Sequence, residues 1–371
     1  MPLAETVLRI AAFAAGIVII YRTFRSAVQT IILPRAARTM LTSFVFRTLG
    51  RLFLLRARRH TTYRAKDRVF ALYAPVTLLS LVAAWLLLIL LAYALVYWAL
   101  GVGSVLDAIR LSGSSLFTLG FSMDPRAETL IFEFSEAAIG VVLVAMLMGY
   151  LPTLYAVFSQ RETMVNLLEV RAGSPPSAVG MIIRIHSVRG LGHIVTMWES
   201  WEPWFAQLEE THTTFSALVF FRSPQPERSW VTAAGTILDA ASLINAVVDM
   251  PPNPQSRLVI RAGFLALRRI ADSLGIPHNP DPRPDDPISI SRAEWDAAVA
   301  EMEAAGVPLK EDRDQAWRDY AGWRVNYDRV LLALAALTSA PYAQWVSDRS
   351  LPGYRLPRLR RTSANARDAT S

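Results

Sequence analysis

The 371-residue chain contains no cysteine, which excludes disulfides, thiolate metal sites and cysteine nucleophiles. Lysine is nearly absent: Lys66 and Lys310 are the only two among 38 cationic side chains. With the abundance of Ala and Pro, the Arg bias reads as the coding habit of a GC-rich bacterium. The net charge of +7 therefore does not by itself point to nucleic acid. Charge of either sign is missing from residues 69–106 and 137–160. Each stretch exceeds the ~20 residues that cross ~30 Å of hydrocarbon, so both are expected to span a membrane. Convincing strand alternation is missing too. That argues against a nucleotide-binding α/β fold or a cyclic-nucleotide β-roll in the C-terminal half.

The N-terminus leaves two readings open. Residues 3–21 are apolar but carry Glu5 and Arg9, so the segment is a weak transmembrane helix or a helix lying at the interface. Its basic residues follow the apolar core, unlike the order in a cleaved signal peptide. From Arg22 to Arg68 there are 12 Arg or Lys against one acid, Asp67, which places this segment on the cytoplasmic side. Within it, residues 40–55 form an amphipathic pattern with Arg47 and Arg51 on one helical face. This basic segment suits anionic lipid at the membrane surface.

Past Gln160 the apolar period is helical. Residues 171–176 (Arg-Ala-Gly-Ser-Pro-Pro) read as a linker. Ser229 can cap a helix running to Met250, and another is expected over 255–274, stopped by Gly275. Ser291 and Glu294 form a capping-box pattern, opening a helix that ends at Gly306. Residues 312–338 read as one long or broken helix. The organisation expected is an N-terminal part (1–68), a membrane domain (69–160), an all-α cytoplasmic domain (177–346) and a basic disordered tail (347–371).

Between the two uncharged stretches lies SVLDAIRLSGSSLFTLGFSM, residues 104–123. An amphipathic segment followed by a polar, Gly-containing turn at membrane depth is tolerated only where it is buried in protein or lines water. Ser104-Val-Leu-Asp107-Ala108, then Phe117-Thr118-Leu119-Gly120-Phe121-Ser122, resembles the pore helix and filter of the pore-loop, potassium-channel-like family. Glu136-Ala-Ala-Ile-Gly140 and Met146-Leu-Met-Gly149-Tyr150-Leu-Pro152 resemble its inner helix. The resemblance covers residues 70–160. It implies an all-α two-span pore unit, a tetramer, and no cofactor beyond a permeant monovalent cation, potassium in the family. Thr118, Leu119, Gly120, Phe121 and Ser122 would form the filter, with the Phe121 ring packed on the pore helix and Gly140 as a gating hinge.

The departures are Ser122, where a second filter Gly belongs, and Met123, where an Asp belongs, with Asp124 one residue later. A non-Gly residue at positive φ costs ~1 kcal/mol, so strain is expected at Ser122 and potassium selectivity does not carry over with the fold. Glu133 and Glu136 share a helical face. With Asp124, and with Arg110 as a partner, they would brace the filter or shape the outer mouth. A non-conducting channel fold that anchors a cytoplasmic binding or signalling module is the alternative. No reaction-competent set of residues stands out. Gly190-Leu-Gly192-His193 reads as a turn, and His186, His193 and His212 are too scattered for a metal pair. Asp281, Asp285 and Asp286 lack calcium-loop spacing. The Trp198, Trp201 and Trp204 stripe reads as core or a membrane-facing edge.

Overall fold

The computed structural model describes residues 3–32 and 39–349, and among them the regular structure is helical, without a strand. Three helices are long and apolar enough to cross a membrane. Most of the tail expected to be basic and disordered (350–371) and part of the basic segment (33–38) lie outside the described residues. The chain divides into two compact units. The first is Met1–Thr61 with Val69–Ala156; the second is Thr62–Arg68 with Val157–Ser371.

In the first unit, α1 (Leu3–Ile31), α2 (Met40–Ala57), α4 (Tyr73–Ala99), α5 (Val105–Leu116) and the first part of α6 (Ala127–Ala172) pack together; α3 (Tyr63–Ala71) belongs largely to the second unit. α4 is central, burying Leu81, Trp85, Ile89, Tyr93 and Tyr97. Its Pro75 is tolerated because it lies in the first turn. α1 is the helix the sequence underrates. Its Arg9 binds Glu5 at 3.0 Å and reaches the Trp98 carbonyl at 3.4 Å, so each charge finds a partner. Gly16 crosses α4 so closely that a Cβ would lie 2.7 Å from the Ala92 carbonyl oxygen. Small residues at such a crossing let two apolar helices approach in lipid. On α2, Arg47 and Arg51 are exposed beside exposed Phe44, Leu52 and Leu55.

The second unit is a helical bundle. Around α9 (Trp230–Ala246), buried along almost its whole length, lie α7 (Ala178–Arg189), α8 (Ile194–Thr214), α10 (Pro254–Leu274), α11 (Arg292–Ala304), α12 (Arg313–Arg324) and α13 (Asp328–Thr338). The helix ends follow their caps: Ser229 bonds the Val231 N–H, Asn253 opens α10, Gly275 closes it in the left-handed region, and Ser291 and Glu294 make a capping box. The expected 312–338 helix is broken between α12 and α13. Arg324, fully buried there, donates to Asp239 at 2.6 Å, to Asp328 at 2.8 Å and to the Trp345 carbonyl at 2.6 Å. Burial works against its charge, yet the two carboxylates prevail and hold its pKa well above the ordinary arginine value. Trp198, Trp201 and Trp204 are core residues, with no hydrogen-bond partner for their indole N–H groups among the described residues.

Candidate functional site

The segment between α4 and α6 is built from its helix start. Ser104 accepts from the Asp107 N–H while Asp107 accepts from the Ser104 N–H at 2.9 Å, a reciprocal cap that satisfies two orphan donors. α5 then buries Ala108, Leu111, Ser112, Ser114 and Leu116 within the first unit. Its end closes as a turn, with the Thr118 N–H on the Ser115 carbonyl and the Leu119 N–H on the Ser114 carbonyl.

Beyond that turn the backbone changes hand twice. Thr118 has φ +55° and Gly120 φ +71°, whereas Leu119, Phe121 and Ser122 are outside the positive-φ set. Gly120 adopts this conformation freely; Thr118 carries a cost of ~1 kcal/mol. The strain the sequence assigns to Ser122 therefore sits at Thr118. Ser122 is instead clasped by α5: Ser114 Oγ accepts from the Ser122 N–H and donates to the Ser122 carbonyl, both at 3.0 Å. Thr118, Leu119, Gly120 and Phe121 are exposed in the single chain. The Phe121 ring, expected to pack on α5, is 65% exposed in the single chain.

Two acids brace this segment from α6, by routes the sequence did not reveal. Glu136, fully buried, accepts from the Tyr97 hydroxyl at 2.9 Å and meets Ser112 Oγ at 2.5 Å. Glu133 accepts from the Asp124 N–H at 3.2 Å. Arg110 reaches neither: it stands 3.9 Å from Asp107, its neighbour one turn away on α5. Asp124 pairs with Arg126 at 2.7 Å, and Arg126 also donates to the Leu100 carbonyl at 2.8 Å. Hydrogen bonding to Arg126 holds the Asp124 carboxyl down at about 2. Ser112, Ser114, Tyr97 and Arg126 are thus parts of the site the sequence reading missed. The Ser-Gly-Ser-Ser run inside an apolar segment was the available signal; Tyr97 and Arg126 offered none.

Gly140 lies where α6 passes the end of α5. A Cβ on it would fall 2.3 Å from the Leu116 carbonyl oxygen, so its lack of a side chain permits a close approach, and α6 continues through it as helix. Farther along α6, Pro152 removes an intrahelical donor and nothing lies within 4 Å of where a Gly149 Cβ would be.

No group of three or more His, Asp or Glu among the described residues is arranged to hold a metal ion. Gly190 (φ +76°) leads into the short 3₁₀ turn Leu191–His193, the turn expected there.

No family model matches the chain, and no match was found among curated proteins or solved structures.

Proposed function

We propose that this chain is one subunit of a tetrameric cation channel of the bacterial inner membrane, with residues 118–122 lining the pore and the second unit in the cytoplasm. A cation leaving water needs its hydration replaced by oxygens, which rings of main-chain carbonyls supply. Aiming successive carbonyls to one side requires the backbone to alternate in handedness. The observation that carries the reading is that alternation, Thr118 and Gly120 left-handed with Leu119 between them. Strain of this kind persists only where the surroundings over-determine it and is concentrated at functional sites. Further support comes from the setting: a capped helix, then the turn, between two helices long enough to cross a membrane. One loop supplies a quarter of a coordination cage, so four copies are needed. The exposed Phe117, Leu119, Phe121 and Met123 are then covered by neighbouring copies.

Conduction is of monovalent cations with weak preference for potassium, because the Ser122 carbonyl is turned back to Ser114 and does not extend the alternation. Bending of α6 belongs at Gly149–Pro152, where a backbone bond is missing, rather than at Gly140, which is pinned against Leu116. Exposed Arg47 and Arg51 on α2 contact anionic lipid phosphates. No catalytic step is involved.

The test is cation efflux from liposomes holding the purified chain, with the mass of the detergent-free assembly measured in parallel. Four copies and efflux abolished by Gly120→Asp support the reading. The Ser122–Ser114 clasp also favours a second reading, a non-conducting membrane anchor for a helical binding module. Absent efflux together with a partner bound through 177–346 would select it.

A further inference from the structure

The second unit contains two short pieces that run directly into candidate spans. One is Thr62–Arg68, most of α3, which passes into α4 across Leu72; the other is the part of α6 from Val157 onward. A single dipeptide meets both. Arg161 on α6, 3% exposed, donates to the Leu218 carbonyl at 3.0 Å and to the Phe221 carbonyl at 2.8 Å. The Phe221 ring packs 5.7 Å from Phe158, also on α6. The next residue, Arg222, points its guanidinium elsewhere. It donates to Asp67 at 2.5 Å and to the Tyr63 hydroxyl at 3.1 Å, both on α3. It also donates to the Thr338 and Ser339 carbonyls at 2.5 and 3.2 Å, where α13 ends with Ser339 at φ +49°.

We propose that Phe221-Arg222 is a yoke through which the helical unit holds the helices leading into α4 and out of the α6 span, and that shifting the yoke changes the conducting state. The regulatory part rests on the channel reading above. Three features argue for a directional coupling rather than general packing. Arg222 and Asp67 are largely desolvated, with 13% and 10% of their side chains exposed. A pair so buried leaves an uncompensated charge when one member is removed. The segment 216–222 is gripped on its other side by Arg161, whose charge is matched by Glu162 at 2.8 Å. By contrast, Arg64–Glu227, another link from α3 to the same unit, has the arginine 77% exposed, and such surface pairs are weak. Residues 62–68 of α3 and the part of α6 from Val157 are therefore held by one segment, 216–222, and a molecule that binds near the end of α13 would act on both.

The experiment uses the full chain in lipid and two readouts, hydrogen exchange of the 62–68 amides and cation efflux. Arg222→Gln is expected to speed exchange at 62–68 and alter efflux, with Arg64→Gln changing neither. The reversed pair, Arg222→Asp with Asp67→Arg, is expected to restore protection at 62–68 while leaving the end of α13 loosened, a pattern that general misfolding would not give. Unchanged exchange in Arg222→Gln overturns the yoke. Faster exchange with unchanged efflux through a conducting wild type overturns its link to conduction. If the wild type itself passes no cation, the channel reading and the link fall together, and exchange alone decides the yoke.

Discussion

A single methyl group decides how α5 meets α6. Gly140→Ala would put a Cβ 2.3 Å from the Leu116 carbonyl oxygen, which neither backbone can yield easily. It should cost about 1–3 kcal/mol, as overpacked positions do, and reduce efflux by displacing the turn that α5 leads into. Gly149→Ala, with nothing within 4 Å, should be neutral or stabilising by up to about 1 kcal/mol. Thermal unfolding of the two variants side by side checks the contrast. His212 gives a pH prediction. Its Nδ1 lies 2.9 Å from the Leu208 carbonyl and its Nε2 3.2 Å from the Arg161 guanidinium, which also pairs with Glu162, and its ring lies beside Trp230. Burial first, then the Arg161 charge, holds its pKa well below 6.5. Above 6.5 the imidazole is neutral in folded and unfolded chains alike and adds no pH dependence. As the pH falls below that value only the unfolded chain takes up the proton, so stability drops, by up to about 1.4 kcal/mol per pH unit. Unfolding midpoints at about pH 7 and about pH 5 should diverge in the wild type and converge in His212→Gln. Asp124 acts in the more acidic range. Its carboxyl, lowered from 3.8 to about 2, contributes stability above 3.8 that is lost as the pH falls through 2, and Asp124→Asn should remove that dependence.

Among the elements, α5 starts from a reciprocal cap at Ser104, just ahead of its first turn. Ser104→Ala removes half of the reciprocal cap and should cost about 1 kcal/mol, seen as faster exchange in the first turn of α5. Local signals of this kind were legible. Ser229, Ser291 and Gly275 mark helix ends in the sequence and mark them in the fold; the reciprocal cap at Ser104 has the same form and was not read. Features set by distant partners were not. The 325–327 break carries neither Gly nor Pro; it accompanies Arg324 reaching Asp239, 85 residues away in sequence. α1 looked weak because a sequence scan counts Glu5 and Arg9 as isolated charges, whereas they bind each other and α4. In the candidate site, the presence of a turn after α5 was legible from a polar, Gly-containing stretch between two apolar runs. Its braces were not, because Tyr97 hides in an apolar stretch and Arg110 reads as a better partner for the acids than it proves to be.

At the scale of the whole molecule, the chain comprises an apolar unit with an exposed turn and a separate helical bundle. Four turns facing a common axis would give Phe121 and Met123 the cover that one chain does not provide. Ser114→Ala combined with Ser122→Gly should remove the clasp on the backbone of residue 122, let the alternation continue outward and raise the preference for potassium over sodium. The most direct test is a planar bilayer recording under bi-ionic potassium and sodium conditions. The expected result is cation current with a small potassium preference, lost in Gly120→Asp and sharpened toward potassium in the Ser114→Ala, Ser122→Gly double variant. A wild type that carries no current, or a current that Gly120→Asp leaves unchanged, would contradict the account.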